Sequence, residues 1–192
     1  MTPRGIAIVG LNGSGKSTLG HLLAKKTGYY EMDVEDYYFP EQRGSRRNAL
    51  EGISDDSLPG TVPFSAPRDK EQVGKAILED IRLHPEFILC GVSLNWGDDI
   101  LSSIRAVFRL MTPSDLRVDR IKHREEARWG ERVAEGGDMY ESQLVFRKMA
   151  AGLSEAKVSD SLAKLSCDVT ELDGTLPPEE NARIIIDYLK TH

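Results

Sequence analysis

The stretch IAIVGLNGSGKST, residues Ile6–Thr18, joins a short apolar run, a glycine-rich turn and the start of a helical pattern. Its spacing is G-x-x-x-x-G-K-S, with Gly10, Gly15, Lys16 and Ser17 at the fixed positions. Glycines in such a loop let successive backbone N–H groups point at phosphate oxygens, and the N-terminus of the next helix adds further donors. The motif therefore predicts a binding site for a nucleoside triphosphate.

The side chains of this motif have separate expected roles. Lys16 reaches the β- and γ-phosphates in such loops, and the Ser17 hydroxyl is a ligand of Mg²⁺. ATP and Mg²⁺ are therefore the predicted cofactors. The residues expected to contact the nucleotide here are Gly10, Asn12, Gly13, Ser14, Gly15, Lys16, Ser17 and Thr18.

Apolar runs alternate with helical patterns along the rest of the chain, which is typical of βαβ units around a parallel sheet. The sequence predicts one α/β domain over residues 1–192, a three-layer P-loop NTPase fold with a parallel five-stranded sheet flanked by helices. The predicted strands are residues 5–9, 29–33, 86–92, 106–111 and 167–172, and the predicted helices are 16–26, 69–83, 113–126, 139–152, 154–165 and 178–190.

Two segments lack a clear pattern and are predicted to be movable. The first is an acceptor-side flap at about 34–70, in which residues 40–70 are expected to be irregular. The second is a lid at about 125–138, expected to be a loop from residue 127 onward. Both segments flank the predicted phosphate site.

Charge and hydropathy limit the partners of this chain. The formal net charge of −6 argues against broad binding of nucleic acid. No apolar run is long enough to span a membrane, and the N-terminal residues lack the features of a signal peptide. We therefore expect a small-molecule acceptor, no nucleic-acid or membrane partner, and a cytoplasmic location. The sequence does not indicate the oligomeric state.

The segment RVDRIKHRE, residues Arg117–Glu125, carries arginines three and four positions apart on one helical face. From spacing alone, two interpretations stay open: a solvated basic face, or guanidinium donors for a transferring phosphoryl group. The segment resembles the helix that leads into the lid of adenylate kinases and related small-molecule kinases. That resemblance implies that Arg120 packs on adenine and that Arg124 contacts phosphate.

Two further segments bear on this resemblance. LDGTLP, residues 172–177, resembles the stretch whose backbone contacts adenine in that group, which implies nucleotide contacts for Gly174 and Thr175. The predicted lid lacks the four-cysteine zinc site of adenylate kinases. In its place we expect Arg128 and Arg132 to close over the phosphates, the alternative being a solvated surface loop.

The acceptor side begins at MDVEDYYF, residues Met32–Phe39, which follows the second predicted strand. A kinase that acts on a hydroxyl uses a carboxylate to accept or orient the hydroxyl proton. Asp36 is the predicted base, in a D-Y-Y pattern similar to uridine kinases. Asp33 is expected to bind substrate and Mg²⁺, and resembles the carboxylate near Mg²⁺ in shikimate kinases. Either aspartate could instead cap a helix.

Two more features belong to the acceptor side. Arg43, Arg46 and Arg47 either bind an anionic acceptor, Arg43 being the predicted contact, or are solvated. No aspartate follows the third predicted strand directly, where a magnesium-binding carboxylate is usual. Gly91 stands there instead, and it resembles the glycines of shikimate kinases at which the backbone approaches the acceptor.

The predicted function is therefore an ATP-dependent phosphotransferase that moves the γ-phosphoryl group to a small molecule, with a hydroxyl favoured as the acceptor. A nucleoside monophosphate kinase is the first alternative, because the basic residues after Gln42 could bind a second phosphate. An ATP-dependent switch or ATPase that acts on a partner is the second. The predicted catalytic residues are Lys16, Asp36, Arg124, Arg128 and Arg132.

Overall fold

The computed structural model describes residues 4–53 and 66–191. The strands are β1 (Gly5–Val9), β2 (Tyr30–Asp33), β3 (Phe87–Gly91), β4 (Ile104–Met111) and β5 (Asp168–Asp173). The helices are α1 (Lys16–Thr27), α2 (Val34–Tyr38), α3 (Arg43–Leu50), α4 (Lys70–Leu83), α5 (Asp98–Leu101), α6 (Ser114–Trp129), α7 (Tyr140–Ala151), α8 (Ala156–Leu162) and α9 (Pro178–Thr191). Short 3₁₀ turns cover Pro40–Gln42 and Gly130–Val133.

The strands form one five-stranded sheet in the order β2-β3-β1-β4-β5. Every pairing between neighbouring strands is parallel. This architecture confirms the predicted α/β fold with a parallel sheet flanked by helices. Because β1 is central, the loop after it lies between the loops that follow β3 and β4.

The two faces of the sheet bury different sets of helices. Alternate residues of β1 point to opposite faces, as strand geometry requires. Ile6 and Ile8 pack with Leu19 and Leu23 of α1 and with α9. On the other face, Ala7 and Val9 pack with apolar residues of α2, α4, α5 and α8. The sheet is therefore covered on both sides, as expected for parallel strands.

Two predictions about irregular segments are wrong in part. Residues 40–50 are not irregular, because a 3₁₀ turn and α3 cover most of them. The remainder of the predicted flap includes 54–65, which lies outside the described residues. In the lid, α6 continues to Trp129 and a 3₁₀ turn follows, so residues 127–133 are largely helical. The buried side chains of Glu125 and Trp129 extend the helix beyond the predicted end.

Strand register aligns the carboxyl ends of β1, β2 and β3. Val9 pairs with Gly91, and Asp33 pairs with Cys90. The loop after β1, the end of β2 and Gly91 therefore meet at one edge of the sheet, where ligands bind in open α/β folds. Among the residues described, no helix has the length and hydropathy needed to cross a lipid bilayer.

Candidate active site

The loop between β1 and α1 has the backbone geometry that its glycines permit. Gly13 and Gly15 have φ values of +80° and +102°, which lie in the left-handed region that favours glycine. A Cβ atom at Gly13 would also overlap the Arg117 carbonyl of α6. The Arg117 guanidinium donates to the Asn12 carbonyl at 3.1 Å. Buried Arg117 thus fixes the loop against α6.

Lys16 lies at the start of α1 with its side chain folded back over the loop. Its Nζ donates to the Leu11 carbonyl at 3.0 Å. Burial lowers the pKa of Lys16, and the nearby carboxylate of Asp33 opposes that effect. Among the described residues no carboxylate forms an ion pair with Lys16, so its charge is available for an anionic ligand such as a phosphate.

Ser17, Asp33 and Arg46 form a continuous chain of contacts beside the loop. The Ser17 hydroxyl donates to Asp33 Oδ2 at 2.6 Å. Arg46 Nη2 lies 2.6 Å from the same oxygen, and Asp33 Oδ1 accepts the Glu35 backbone N–H at 3.0 Å. Burial would raise the pKa of Asp33, but the charge of Arg46 and these hydrogen bonds outweigh burial and lower it. Asp33 both caps α2 and stays ionised next to Ser17.

A cavity of about 850 Å³ runs along the carboxyl edge of the sheet. Residues 12–19 of the loop and of α1 form its centre. The loops after β2 and β3 contribute Asp33, Glu35 and Gly91 to one side, while the β4 and β5 side contributes Arg120 and Gly174. The cavity therefore has two halves with the phosphate-binding loop between them.

The β4 and β5 half is held by hydrogen bonds to backbone carbonyls. Arg120 Nη1 donates to the Ser14 carbonyl at 3.2 Å and to the Gly174 carbonyl at 2.9 Å. Thr112 Oγ1 donates to the Ser14 carbonyl at 3.2 Å. A Cβ atom at Gly174 would overlap Thr112 Oγ1 and lie 2.8 Å from the Met111 carbonyl. The close approach of three chain segments explains why glycine stands at this position.

The end of α6 supplies two arginines to the cavity. Arg124 and Arg128 both line it. Arg128 also reaches across to the flap, where its Nη2 donates to Gln42 Oε1 at 3.2 Å and to Ser45 Oγ at 3.1 Å. The structure thus brings the predicted lid and the predicted flap into direct contact.

Several predicted site residues lie outside this cavity. Asp36 and Arg43 line a separate cavity of about 820 Å³ between α1, α3 and the start of β3, and Arg43 donates to the Tyr30 hydroxyl at 3.2 Å. Arg132 pairs with Asp138 at 2.8 Å on the protein surface. Thr175 does not line the cavity, and its hydroxyl donates to Asp173.

Gly10 and Asp36 have environments that bear on their predicted roles. Gly10 is buried beneath the loop, where a Cβ atom would lie 2.7 Å from the Leu110 carbonyl, so its contribution is close packing. Burial raises the pKa of Asp36 to about 6, although Arg46 at 3.3 Å opposes the shift. A raised pKa suits a base, yet the carboxyl faces the second cavity rather than the loop.

The sequence did not single out two residues at or near the site, and it did not predict the role of a third. Glu35 lines the main cavity with Asp33, and Arg46 is a buried partner of both carboxylates rather than a solvated cation. Glu125 is buried at the end of α6. The sequence places three acidic residues close together, Asp33, Glu35 and Asp36, and gave no indication of which carboxylate would face the loop. The four-residue spacing of Glu125 and Trp129 was a usable signal for a shared helical face.

Comparison with known proteins agrees with this architecture. No family model matches the chain. The uncharacterized protein YqaC of Bacillus subtilis (strain 168) is 28% identical over 197 residues, covering 98% of this chain and 99% of YqaC. The probable gluconokinase of Rattus norvegicus is 48% identical over 42 residues, which is 22% of this chain and 23% of the rat protein.

Two solved structures with the same fold are described as a sugar kinase and a gluconokinase. A sugar kinase from Janibacter sp. HTCC2649 superposes with a TM-score of 0.54 at 18% identity, covering 98% of this chain and 95% of that protein. A gluconokinase from Sinorhizobium meliloti 1021 gives 0.52 at 20% identity, with coverages of 95% and 89%. The chain therefore has the fold of the P-loop small-molecule kinases.

Proposed function

We propose that this protein is an ATP-dependent phosphotransferase that moves the γ-phosphoryl group of ATP to a hydroxyl of a small molecule. The observation that carries the proposal is the single cavity along the sheet edge. In it, Lys16 and Ser17 lie between the Arg120 and Gly174 half and the Asp33 and Glu35 half. A kinase needs such an arrangement, because its two substrates must meet at the phosphate-binding loop.

The β4 and β5 half suits the nucleotide. Its Arg120 guanidinium is fixed by two backbone carbonyls and offers a planar surface for a base. Lys16 is a half-buried cation that forms no ion pair with a carboxylate of residues 4–53 or 66–191, as a site for phosphate oxygens requires. Bound MgATP would supply the phosphoryl group, and its magnesium ion would neutralise part of the phosphate charge. Ser17 would hold the magnesium ion through its hydroxyl oxygen, and ionised Asp33, which accepts a hydrogen bond from that hydroxyl, would hold Ser17 in place and favour the cation by its charge.

The β2 and β3 half suits the acceptor, and Glu35 is the proposed base. Asp33 is committed to Ser17, Arg46 and the cap of α2. The Glu35 side chain is 41% exposed and lines the same cavity, with Arg46 Nη1 2.9 Å from Oε2. It can therefore accept a proton from an acceptor hydroxyl. This proposal replaces Asp36, which faces the other cavity.

A hydroxyl acceptor is favoured over a second phosphate for an electrostatic reason. A phosphate acceptor requires available arginines and no base. Arg43 and Arg47 line the separate cavity, and Arg46 is engaged with three carboxylates. Proteins described as sugar kinase and gluconokinase share the fold, so polyhydroxy acids and sugars are the acceptors to test first.

The testing experiment measures ADP release from MgATP with a panel of acceptors: sugar acids, sugars, shikimate, nucleosides, aminoglycosides and nucleoside monophosphates. We expect stimulation by a hydroxyl compound, and no activity in Lys16→Met. With that acceptor, Glu35→Gln is expected to lower kcat about 10²-fold or more, the usual contribution of a general base. Asp36→Asn is the matched control and is expected to retain most of kcat.

Other results of the panel would change the proposal. Stimulation by monophosphates alone would contradict the hydroxyl acceptor and support a nucleoside monophosphate kinase. Binding of MgATP without stimulation by any acceptor would favour a nucleotide-dependent switch. A large loss in Asp36→Asn with retention in Glu35→Gln would return the base to Asp36.

A further inference from the structure

Glu125 is a buried carboxylate at the point where α6 enters the lid. Its side chain is only 3% exposed. Oε1 lies 2.6 Å from Arg124 Nη2 and accepts a hydrogen bond from Arg124 Nε at 2.8 Å. Oε2 accepts the indole N–H of Trp129 at 2.7 Å. Each oxygen of one carboxylate is therefore bound to a different residue of the lid entrance.

The contact between Glu125 and Arg124 constrains the arginine. Adjacent residues of a helix point in different directions, so their side chains do not meet by default. Arg124 must turn its guanidinium along the helix surface to reach Oε1 with both Nε and Nη2. A side chain that is 49% exposed would otherwise sample many rotamers. The double contact holds the guanidinium in one orientation.

The same side chain borders the cavity that contains the phosphate-binding loop. Arg124 lines the main cavity together with Lys16 and Ser17. The pKa of Lys16, lowered chiefly by burial, is lowered further by the charge of Arg124. The charges of Arg124 and Lys16 are therefore close enough to act on the same bound anion.

The second oxygen of Glu125 acts on the other arginine through Trp129. Trp129 is 3% exposed, and its indole ring lies under the guanidinium of Arg128, with 4.6 Å between the guanidinium carbon and the ring centroid. Arg128 extends from this stack to Gln42 and Ser45 of the flap. Fixing the indole N–H therefore fixes the platform on which Arg128 rests.

We propose that Glu125 is a positioning residue that orients both cavity arginines of the lid, Arg124 directly and Arg128 through Trp129. The inference rests on the proposed function, because it assigns the arginines to bound MgATP. Glu125 itself does not touch the cavity. Glu125 restricts the conformations of Arg124 before phosphate binds. Arg124 therefore loses less conformational entropy on binding, which is the usual advantage of a preorganised site.

The test is a double-mutant cycle on MgATP affinity, which needs no acceptor. Binding to the full chain is measured by isothermal titration calorimetry, because Trp96 lines the cavity and Trp129 is bound to Glu125, so neither tryptophan is a neutral fluorescent reporter. The four proteins are the parent, Glu125→Gln, Arg124→Met and the double variant. We expect Glu125→Gln to weaken MgATP binding about tenfold, comparable to losing one charge-assisted hydrogen bond. In the Arg124→Met protein, Glu125→Gln is expected to weaken MgATP binding by a smaller factor than in the parent, because the route through Arg124 is already lost and only the route through Trp129 and Arg128 remains.

Three outcomes contradict the proposal in different ways. Independent, multiplicative losses would mean that Glu125 acts on the fold and not through Arg124. Tighter MgATP binding by Glu125→Gln would mean that the carboxylate holds Arg124 away from the phosphates. Failure of the parent protein to bind MgATP would reject the proposed function itself, and the inference with it.

Folding is controlled separately. Thermal midpoints and circular dichroism spectra are compared for all four proteins before titration. If Glu125→Gln does not fold, Glu125→Asp replaces it in the cycle. Its carboxylate is one methylene shorter and keeps the charge, so a smaller loss of affinity is expected with the same non-additivity toward Arg124→Met. Additive losses with this variant would equally overturn the proposal.

Discussion

Asp33 and Arg46 form a buried ion pair, with 2.6 Å between Asp33 Oδ2 and Arg46 Nη2 and side chains that are each 9% exposed. The same Asp33 oxygen accepts the Ser17 hydroxyl, so α3 of the flap is joined to the phosphate-binding loop by two contacts in series. Arg46 also contacts Glu35 at 2.9 Å and Asp36 at 3.3 Å. One guanidinium thus compensates the acidic cluster at the end of β2.

Arg46→Met is expected to destabilise the protein by about 3–5 kcal/mol at pH 7, because it leaves Asp33 ionised, buried and without its partner. The measurement is urea unfolding followed by circular dichroism. Arg47→Met is the matched control, since Arg47 is exposed on the same helix, and it is expected to change stability by less than about 0.5 kcal/mol. Equal changes in the free energy of unfolding for Arg46→Met and Arg47→Met would show that the Asp33–Arg46 ion pair does not contribute specifically to stability.

The effect of Arg46→Met also has a predicted dependence on pH. The pKa of Asp33 is lowered in the folded protein, so the stabilisation is fully present above the ordinary pKa of 3.8 and is lost as pH falls through the lowered value. The difference in unfolding free energy between the parent and Arg46→Met should therefore narrow as the pH is lowered below 3.8. A difference that widens with acid would contradict this assignment.

Asp36→Asn is expected to stabilise the protein at pH 7–8 by about 1 kcal/mol, a discounted value for a carboxyl that is partly exposed. The pKa of Asp36 is raised from 3.8 to about 6, mainly by burial. The folded protein then binds more protons than the unfolded chain between these values, and stability falls as pH rises through this window. The advantage of asparagine should therefore disappear near pH 4, measured by urea unfolding across the pH range. A constant advantage at every pH would exclude ionisation of Asp36 as its cause.

Gly174→Ala is expected to lower MgATP affinity at least about tenfold and to destabilise the protein by about 1–3 kcal/mol, as overpacking does. The added methyl group would overlap Thr112 Oγ1, and Thr112 binds the Ser14 carbonyl of the loop. The measurements are isothermal titration calorimetry and urea unfolding. Gly74→Ala in α4 is the control, because among the described residues no atom beyond the backbone of its own helix lies within 4 Å of its Cβ position. It is expected to leave affinity unchanged and to raise stability by about 0.5–1 kcal/mol.

Arg128→Met and Arg132→Met are expected to differ, although both arginines belong to the predicted lid. Arg128 lines the cavity and binds Gln42 and Ser45, whereas Arg132 pairs with Asp138 at the surface. Once an acceptor is identified, Arg128→Met should lower kcat/KM about tenfold or more, and Arg132→Met should lower it less than about twofold. The steady-state kinetics of ADP release distinguish the two, and a larger loss in Arg132→Met would support the original assignment of that residue to the phosphates.

The acidic segment after β2 shows what sequence alone left open. Asp33, Glu35 and Asp36 differ little in their local pattern, and helix capping and catalysis use the same residue types. The structure separates them, because Asp33 ends the strand and Glu35 turns to the main cavity while Asp36 turns to the other one. Neighbouring residues of a helix point in directions about 100° apart. The residue types alone do not tell which of these directions faces the cavity.

The sequence by itself determined the glycine-rich loop between β1 and α1 and the parallel sheet, since their signals are local: glycine spacing and apolar runs. Tertiary structure alone decided the partners of Arg46 and Arg128. Their contacts join α3 to the end of β2 and to the end of α6, which are far apart along the chain. Burial of a charged group is tolerated where a group of opposite charge contacts it, and for Arg46 that group comes from another segment, so packing rather than neighbouring residues fixes the pair.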